Sequence, residues 1–280
     1  MSRAVDVKHL GRERVICAYE IDGLVVDPGP ATCVDTLLEA VGEVRGLLLT
    51  HIHLDHAGAT GVLVRRFPDI PVYVHERGAP HLVDPSKLLA SATRLYGEEG
   101  MARLWGEVAP VPEANVRPLA GGEVIEGAFR VAYTPGHASH HVAYLHEPTG
   151  RAYVGDVAGV RVPPAEFVVP PTPPPDIDLE LWDASLDIVA GWRPEALCLT
   201  HFGAFTDVER HLAEVRERLR TWGQFARETD AQGFLARVRS DLAAAADEAT
   251  VESFFQAAPP DHLFAGLDRY WRKRAEREAA

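Results

Sequence analysis

Between residues 51 and 58 the chain reads His51-Ile52-His53-Leu54-Asp55-His56-Ala57-Gly58, which puts three imidazoles and a carboxylate within six residues. Neutral imidazole and carboxylate are together the donors that suit zinc, iron or manganese. His51 and His53 can converge on one ion, while Asp55 and His56, further along the turn, can face a second. A polar loop capping a helix is the bland alternative, but four metal-competent side chains packed this tightly favour metal. One short segment cannot complete two coordination shells, so further donors must come from elsewhere. Three residues share its context, a polar residue at the end of an expected strand. They are His137 in Thr134-Pro135-Gly136-His137, Asp156 in Val154-Gly155-Asp156, and His201 in Leu199-Thr200-His201. Open sheets usually place their catalytic groups at such strand ends.

Those residues require strands that feed turns. Residues 15–26 alternate roughly and end in Asp27-Pro28-Gly29-Pro30, a strand pair running into a turn. Thr32-x-x-Asp35 has the form of a helix start, and Val34, Leu37, Leu38 and Val41 give one apolar helical face. Residues 46–50 are a short apolar run, as in a strand buried on both faces, and the histidine cluster begins at its C-terminal end. A short helix is expected over residues 59–67, stopping at Pro68, followed by a strand at 72–75. Strand signals return at 123–134, 142–145, 151–154 and 195–200. Thr206-x-x-Glu209 reads as a capping box, and Val208, Leu212, Val215, Leu219 and Trp222 then mark an amphipathic helix.

Two segments interrupt this rhythm. Residues 80–118, helical over 88–105, are expected as an insertion lying over the site. Residues 163–175 hold seven prolines and form a stiff extended segment. Either could wall a pocket or act as a spacer. From residue 231 onward the tail reads as helical, and covering the site or forming a homodimer contact are both open to it. Strands alternating with helices indicate an α/β chain with mixed sheets. No linker separates two domains. Residues 1–225 are expected to form the catalytic domain, with residues 226–280 as a helical extension packed on it.

The chain has 280 residues and a formal net charge of −13, from 28 basic and 41 acidic side chains. Such a surface repels a nucleic-acid backbone, so no nucleic-acid partner is expected. No apolar run approaches the ~20 residues that span a bilayer. The first 14 residues carry Arg3, Asp6, Lys8, Arg12, Glu13 and Arg14 rather than the apolar stretch of a secretory signal. A cytoplasmic location without membrane association is therefore expected. Cys17, Cys33 and Cys198 are scattered, with no CxxC spacing, and read as buried small hydrophobes.

The ordered set His51, His53, Asp55, His56, His137, Asp156 and His201 resembles the metallo-β-lactamase fold superfamily, whose signature is HxHxDH followed by a distant His, an Asp and a final His. The resemblance covers about residues 15–220. It implies a four-layered αβ/βα sandwich, two mixed β-sheets flanked by helices, with the site at one edge of the facing sheets. It implies two divalent metal ions, zinc first and iron or manganese as the alternatives. One would be held by His51, His53 and His137, the other by Asp55, His56 and His201, with Asp156 between them. The chemistry is consistent, because a carboxylate has two oxygens and can span two ions. Two ions ~3.5–4 Å apart can hold a bridging hydroxide as nucleophile and polarise the substrate oxygen. Asp55 is then the expected catalytic proton carrier. Asp27 is expected either to support a ligand or to cap a turn.

Within that superfamily, His53 stands where flavin-linked di-iron oxidoreductases typically have Glu, which favours hydrolysis. Asp156 argues against antibiotic hydrolysis, and the acidic composition and length argue against RNA processing. Thr134-Pro135-Gly136-His137, with His141 four residues on, resembles the glyoxalase II loop, although no motif matches the basic residues that grip glutathione there. His140, His141 and Tyr144 are expected either to contact substrate or to pack and support. The expected function is hydrolysis of an ester, thioester or lactone of a small molecule. The alternatives are a phosphodiesterase or nuclease, a mononuclear-iron persulfide dioxygenase, and a metal-binding protein without turnover.

Overall fold

Successive strand residues point to opposite faces of a sheet, and here both faces carry apolar side chains. The computed structural model describes residues 2–279. Its first sheet runs β1 (Arg3–Asp6), β2 (Cys17–Ile21), β3 (Leu24–Val26), β4 (Gly46–Leu48), β5 (Val72–His75) and β6 (Val116–Leu119), adjacent in that order. The second contains β7 (Val124–Ile125), β8 (Phe129–Tyr133), β9 (Val142–His146), β10 (Arg151–Tyr153), β11 (Ala196–Leu199) and β12 (Gly203–Phe205), again adjacent in chain order. Both sheets are mixed: β3 to β6 pair in parallel while β1 to β3 are antiparallel, and β10 pairs in parallel with β11 within an otherwise antiparallel sheet.

Alternation along these strands builds three cores. Leu24, Val26 and Leu48 of the first sheet meet Phe129, Val142 and Tyr153 of the second, forming the layer between the sheets. Val25, Leu47 and Val72 point the other way, onto Leu37 of the helix Val34–Val41 and Leu63 of the helix Thr60–Arg66. On the far side of the second sheet, Ala152 and Leu197 join Trp182, Leu212 and Val215 from the helices Leu179–Gly191 and Val208–Glu228. Phe234, Phe254 and Leu263 of the last three helices belong to that same cluster. The result is helix, sheet, sheet, helix. Each fully buried side chain of this size contributes roughly 1.5–3 kcal/mol.

Local details depart from the sequence expectations where tertiary partners intervene. No capping box forms at Thr206: the cap position is Asp207, which makes no cap bond and instead takes the Arg161 guanidinium at 2.9 Å. Thr32 likewise does not cap a helix; its hydroxyl donates to the Leu104 carbonyl at 3.0 Å, and a 3-10 turn precedes Val34. Strand β6 begins inside the stretch expected as an insertion. Its Pro118 donates no ladder bond and hid the strand, a residue tolerated there because β6 is an edge. The helix Ser86–Gly100 is broken at Gly97 and continues into a π-turn over Met101–Trp105.

Candidate metal centre

The expected site residues lie on loops that leave the C-terminal ends of strands in both sheets. Asp27 follows β3, His51 follows β4, His137 follows β8, Asp156 follows β10 and His201 follows β11. Two glycines allow the chain to arrive there. Gly136 has φ +130°, and a Cβ on it would sit 2.3 Å from the Trp182 Cα. Gly155 has φ +46°, and a Cβ on it would meet the Thr50 hydroxyl at 2.4 Å. Only glycine reaches both conformations without strain.

The structure brings all seven expected residues together, in two groups of donor atoms. In the first, His51 Nε2 lies 2.9 Å and His137 Nε2 3.0 Å from His53 Nδ1. Asp156 Oδ2 lies 3.3 Å from that same His137 nitrogen. In the second, Asp55 Oδ2 lies 3.4 Å from His201 Nε2 and 3.9 Å from His56 Nε2. Asp156 turns its other oxygen to this group, with Oδ1 3.2 Å from His56 Nε2 and 3.6 Å from His201 Nε2. His51, His53, His137 and Asp156 therefore form one set that could hold a metal ion, and Asp55, His56 and His201 another.

The outward nitrogens fix the tautomers. His137 Nδ1–H donates to the Pro171 carbonyl at 2.8 Å and His201 Nδ1–H to the Val15 carbonyl at 2.6 Å. His56 Nδ1–H donates to Asp27 Oδ2 at 2.8 Å. The Thr50 hydroxyl donates to Asp27 Oδ2, so its oxygen is free to accept His51 Nδ1–H at 3.1 Å. With those protons outside, the Nε2 lone pairs of these four rings face inward, as metal-ligating imidazoles require. His56 Nε2, His201 Nε2 and Asp156 Oδ1 are buried and make no hydrogen bond among the described residues. Buried polar atoms are seldom left unpaired, and divalent ions would satisfy all three. The residues present fit a pair of such ions.

Burial opposes charge on every group here. In His51, His53 and His137 burial dominates, helped by neighbouring imidazoles, and holds each below its ordinary value, His53 at about 4. Burial also acts on His56 and His201, but Asp156 and Asp55 outweigh it and raise both rings. For Asp55 and Asp156 burial would raise the carboxyl; the surrounding histidines override it and keep both ionised well below the usual carboxylate range.

The remaining sequence candidates divide by location. Asp27 is fully buried and accepts from His56, Thr50 and Thr200 at once, directly behind the ligand candidate His56. His141 Nδ1–H donates to Thr134 Oγ1 at 2.8 Å, and its Nε2 accepts the Asp156 backbone N–H at 3.3 Å, so it anchors the loop carrying Asp156. Tyr144 donates to the Leu49 carbonyl at 2.7 Å and packs between the sheets. His140 lines the cavity beside the site. Thr50 and Thr200 were missed by sequence reasoning; each directly precedes a ligand candidate, His51 or His201, and that adjacency was the available signal.

A cavity of about 440 Å³ opens over His53, Asp55 and Asp156. Its walls come from the helix Ser86–Gly100, from Pro171 and Pro173 of the proline segment, and from the turn before and start of the last helix, at Pro259 and Leu263. All three segments whose role the sequence left open thus reach the site. No helix among the described residues is long and apolar enough to cross a membrane.

Residues 18–201 match the family model of the metallo-beta-lactamase superfamily. A hydroxyacylglutathione hydrolase of Hamiltonella defensa is 31% identical over 45% of this chain, although the match spans only 39% of that relative. The solved metallo-beta-lactamase superfamily protein ST1585 from Sulfolobus tokodaii superposes with a TM-score of 0.67 at 23% identity, covering 78% of this chain and 85% of its own. TTHA1623, solved in a di-iron-bound form, superposes with a TM-score of 0.53 at 28% identity, covering 71% of this chain and 91% of its own. The two mixed sheets, the helical outer layers, the donor cluster at the strand ends and the match over residues 18–201 agree: this chain belongs to the metallo-beta-lactamase superfamily.

Proposed function

We propose that this chain is a metal-dependent hydrolase that cleaves an ester, thioester or lactone bond of a small molecule at a dinuclear centre. His51, His53 and His137 would hold one ion and Asp55, His56 and His201 the other, with Asp156 offering an oxygen to each group. The observation that carries this reading is the division of one carboxylate, with Asp156 Oδ2 at 3.3 Å from His137 and Oδ1 at 3.2 Å from His56. Divalent ions bound there would activate a water at neutral pH and polarise the substrate carbonyl. Zinc suits the nitrogen and oxygen donors, and the likeness to a di-iron-bound protein supports iron as the alternative.

The chain's own residues divide the remaining work. The Asp55 side chain is 23% exposed, against 5% for Asp156, and it lines the cavity. It is the more exposed of the two cluster carboxylates that reach the cavity, which suits it to take up a proton and pass it on. Asp27, Thr50, Pro171 and Val15 hold the imidazoles in the ligating tautomer. The cavity volume, about 440 Å³, suits a small-molecule substrate. The similarity to a hydroxyacylglutathione hydrolase supports a thioester within the acyl class. Residues 1–225 act as the catalytic domain, with 80–118 as its inserted wall and 226–280 as an extension; the apolar cluster shared by Leu197 and Phe254 supports the packing of that extension on the same domain.

The test is metal-loaded protein assayed against lactones, thioesters, phosphodiesters and β-lactams. Turnover of carboxylic acyl substrates well above the others is expected. Faster phosphodiester cleavage would replace this reading with the nuclease one. Two bound ions without turnover of any of them would remove the activity and leave the fold.

A further inference from the structure

Two cationic side chains line the cavity. Arg77 comes from the turn after β5, and Lys87 from the first turn of the helix Ser86–Gly100. Among the described residues, neither has a carboxylate within 4.0 Å. Some other arginines do meet carboxylates, as in Arg65 with Glu107, Arg130 with Glu147 and Arg161 with Asp207.

Arg77 is also held in place. Its Nη1 donates to the Tyr133 hydroxyl at 3.0 Å, and its guanidinium lies over the same ring, 5.6 Å from the centroid. The Tyr133 proton goes to the Ser139 carbonyl at 3.0 Å, so the phenol oxygen is a fixed acceptor. A guanidinium has five N–H groups, and this arrangement uses one. Asp176 is the one other charged group on the wall away from the donor cluster. Its Oδ2 already accepts the Ser139 N–H at 3.2 Å and the Ser139 hydroxyl at 2.5 Å. Arg77 and Lys87 are the two cations of that lining, and the carboxylate of Asp176 is already occupied. The apolar part of the lining, Leu88, Tyr96 and Leu263, is separate from them in chemistry and belongs to other side chains.

We propose that the substrate carries a carboxylate that docks on Arg77 and Lys87, joined to an apolar body that lies against Leu88, Tyr96 and Leu263. The scissile acyl group then lies toward Asp55 and Asp156. This deepens the hydrolase reading and rests on it for the position of the scissile bond. Recognition of the carboxylate does not. A planar carboxylate can take two N–H bonds from a guanidinium in parallel, and such charge-assisted pairs are the strong ones. Sequence spacing could not reveal this, because residues 77 and 87 lie in different elements and neither belongs to a basic motif.

The test is calorimetric titration of the metal-free full chain with an S-octyl mercaptoacetate, a thioether that cannot be hydrolysed, and with its methyl ester. Removing the metals prevents the carboxylate from binding an ion instead. The acid is expected to bind about tenfold tighter than the ester. Arg77→Ala and Lys87→Ala should each weaken the acid by about tenfold and leave the ester unchanged, with Arg77→Lys in between. Equal binding of acid and ester, equal losses for both in the variants, or no binding of either would each overturn the proposal. Separately, metal-loaded protein given a matched pair of thioesters should show a lower KM for the carboxylate-bearing one at similar kcat. Hydrolysis of both with equal KM would keep the hydrolase and refute the carboxylate. Selective binding without hydrolysis would do the reverse.

Discussion

Asp27 Oδ2 accepts the Nδ1–H of His56 at 2.8 Å, and both groups are fully buried. The same oxygen takes the hydroxyls of Thr50 and Thr200, at 2.7 and 2.8 Å. A residue at the end of β3 therefore ties together the histidine loop of the first sheet and the His201 loop of the second. Asp27→Asn keeps the volume and tolerates the positive φ of 47° at this position. It cannot accept from all three donors. Affinity for the ion at Asp55, His56 and His201 is expected to fall about 10–100-fold, measured by chelator competition. Unchanged affinity would reduce Asp27 to a turn-capping residue.

Gly136 lies against Trp182 so closely that a Cβ would come within 2.3 Å of backbone. Gly136→Ala must move either the helix Leu179–Gly191 or the loop carrying His137. A loss of more than about 3 kcal/mol in denaturant unfolding is expected, in the range of severe core lesions. Wild-type stability with full metal binding would show that this loop has room to shift.

The metal-free protein is expected to be acid-labile. His51, His53 and His137 are held neutral by burial, as are His140, at about 3, and His141. Unfolded, each would titrate near 6.5. Between that value and about 4, where the folded His53 titrates, the unfolded chain binds more protons. Stability therefore falls as pH drops through that window, by up to about 1.4 kcal/mol per pH unit for each such ring. His56 and His201 are raised and act oppositely, contributing stability below 6.5 that is lost as pH rises through their folded values. The lowered rings outnumber them. Asp55 and Asp156 are depressed, so their contribution is present above 3.8 and is lost only at lower pH. Thermal melts in chelator should show Tm declining from pH 6.5 to 4, and a flat profile would contradict the neutral assignment.

The part of the site legible in sequence is the part made by residue type. His51, His53, Asp55 and His56 announce themselves by density, and His137, Asp156 and His201 by their position after apolar runs that do form β8, β10 and β11. Fold class was legible for the same reason: alternating or continuous apolar strands separated by helices leave few ways to bury both faces. What spacing could not give was partnership. Thr206 and Thr32 have local cap patterns, but long-range partners of Asp207 and Thr32 draw the chain into another arrangement. β6 contains Pro118 and has too few apolar residues to signal a strand, yet edge pairing to β5 forms it. The cavity wall is assembled from segments more than a hundred residues apart, such as Leu88 and Leu263, and no local pattern encodes that meeting.

In the proposed function two donor groups, linked by Asp156, each hold an ion. Metal content per chain, measured by elemental analysis on wild type and on His56→Ala, tests it most directly. Two ions in the wild type and about one in His56→Ala are the expected values, the survivor held by His51, His53 and His137. A wild-type chain that binds a single ion, or a His56→Ala chain that still binds two, would contradict it.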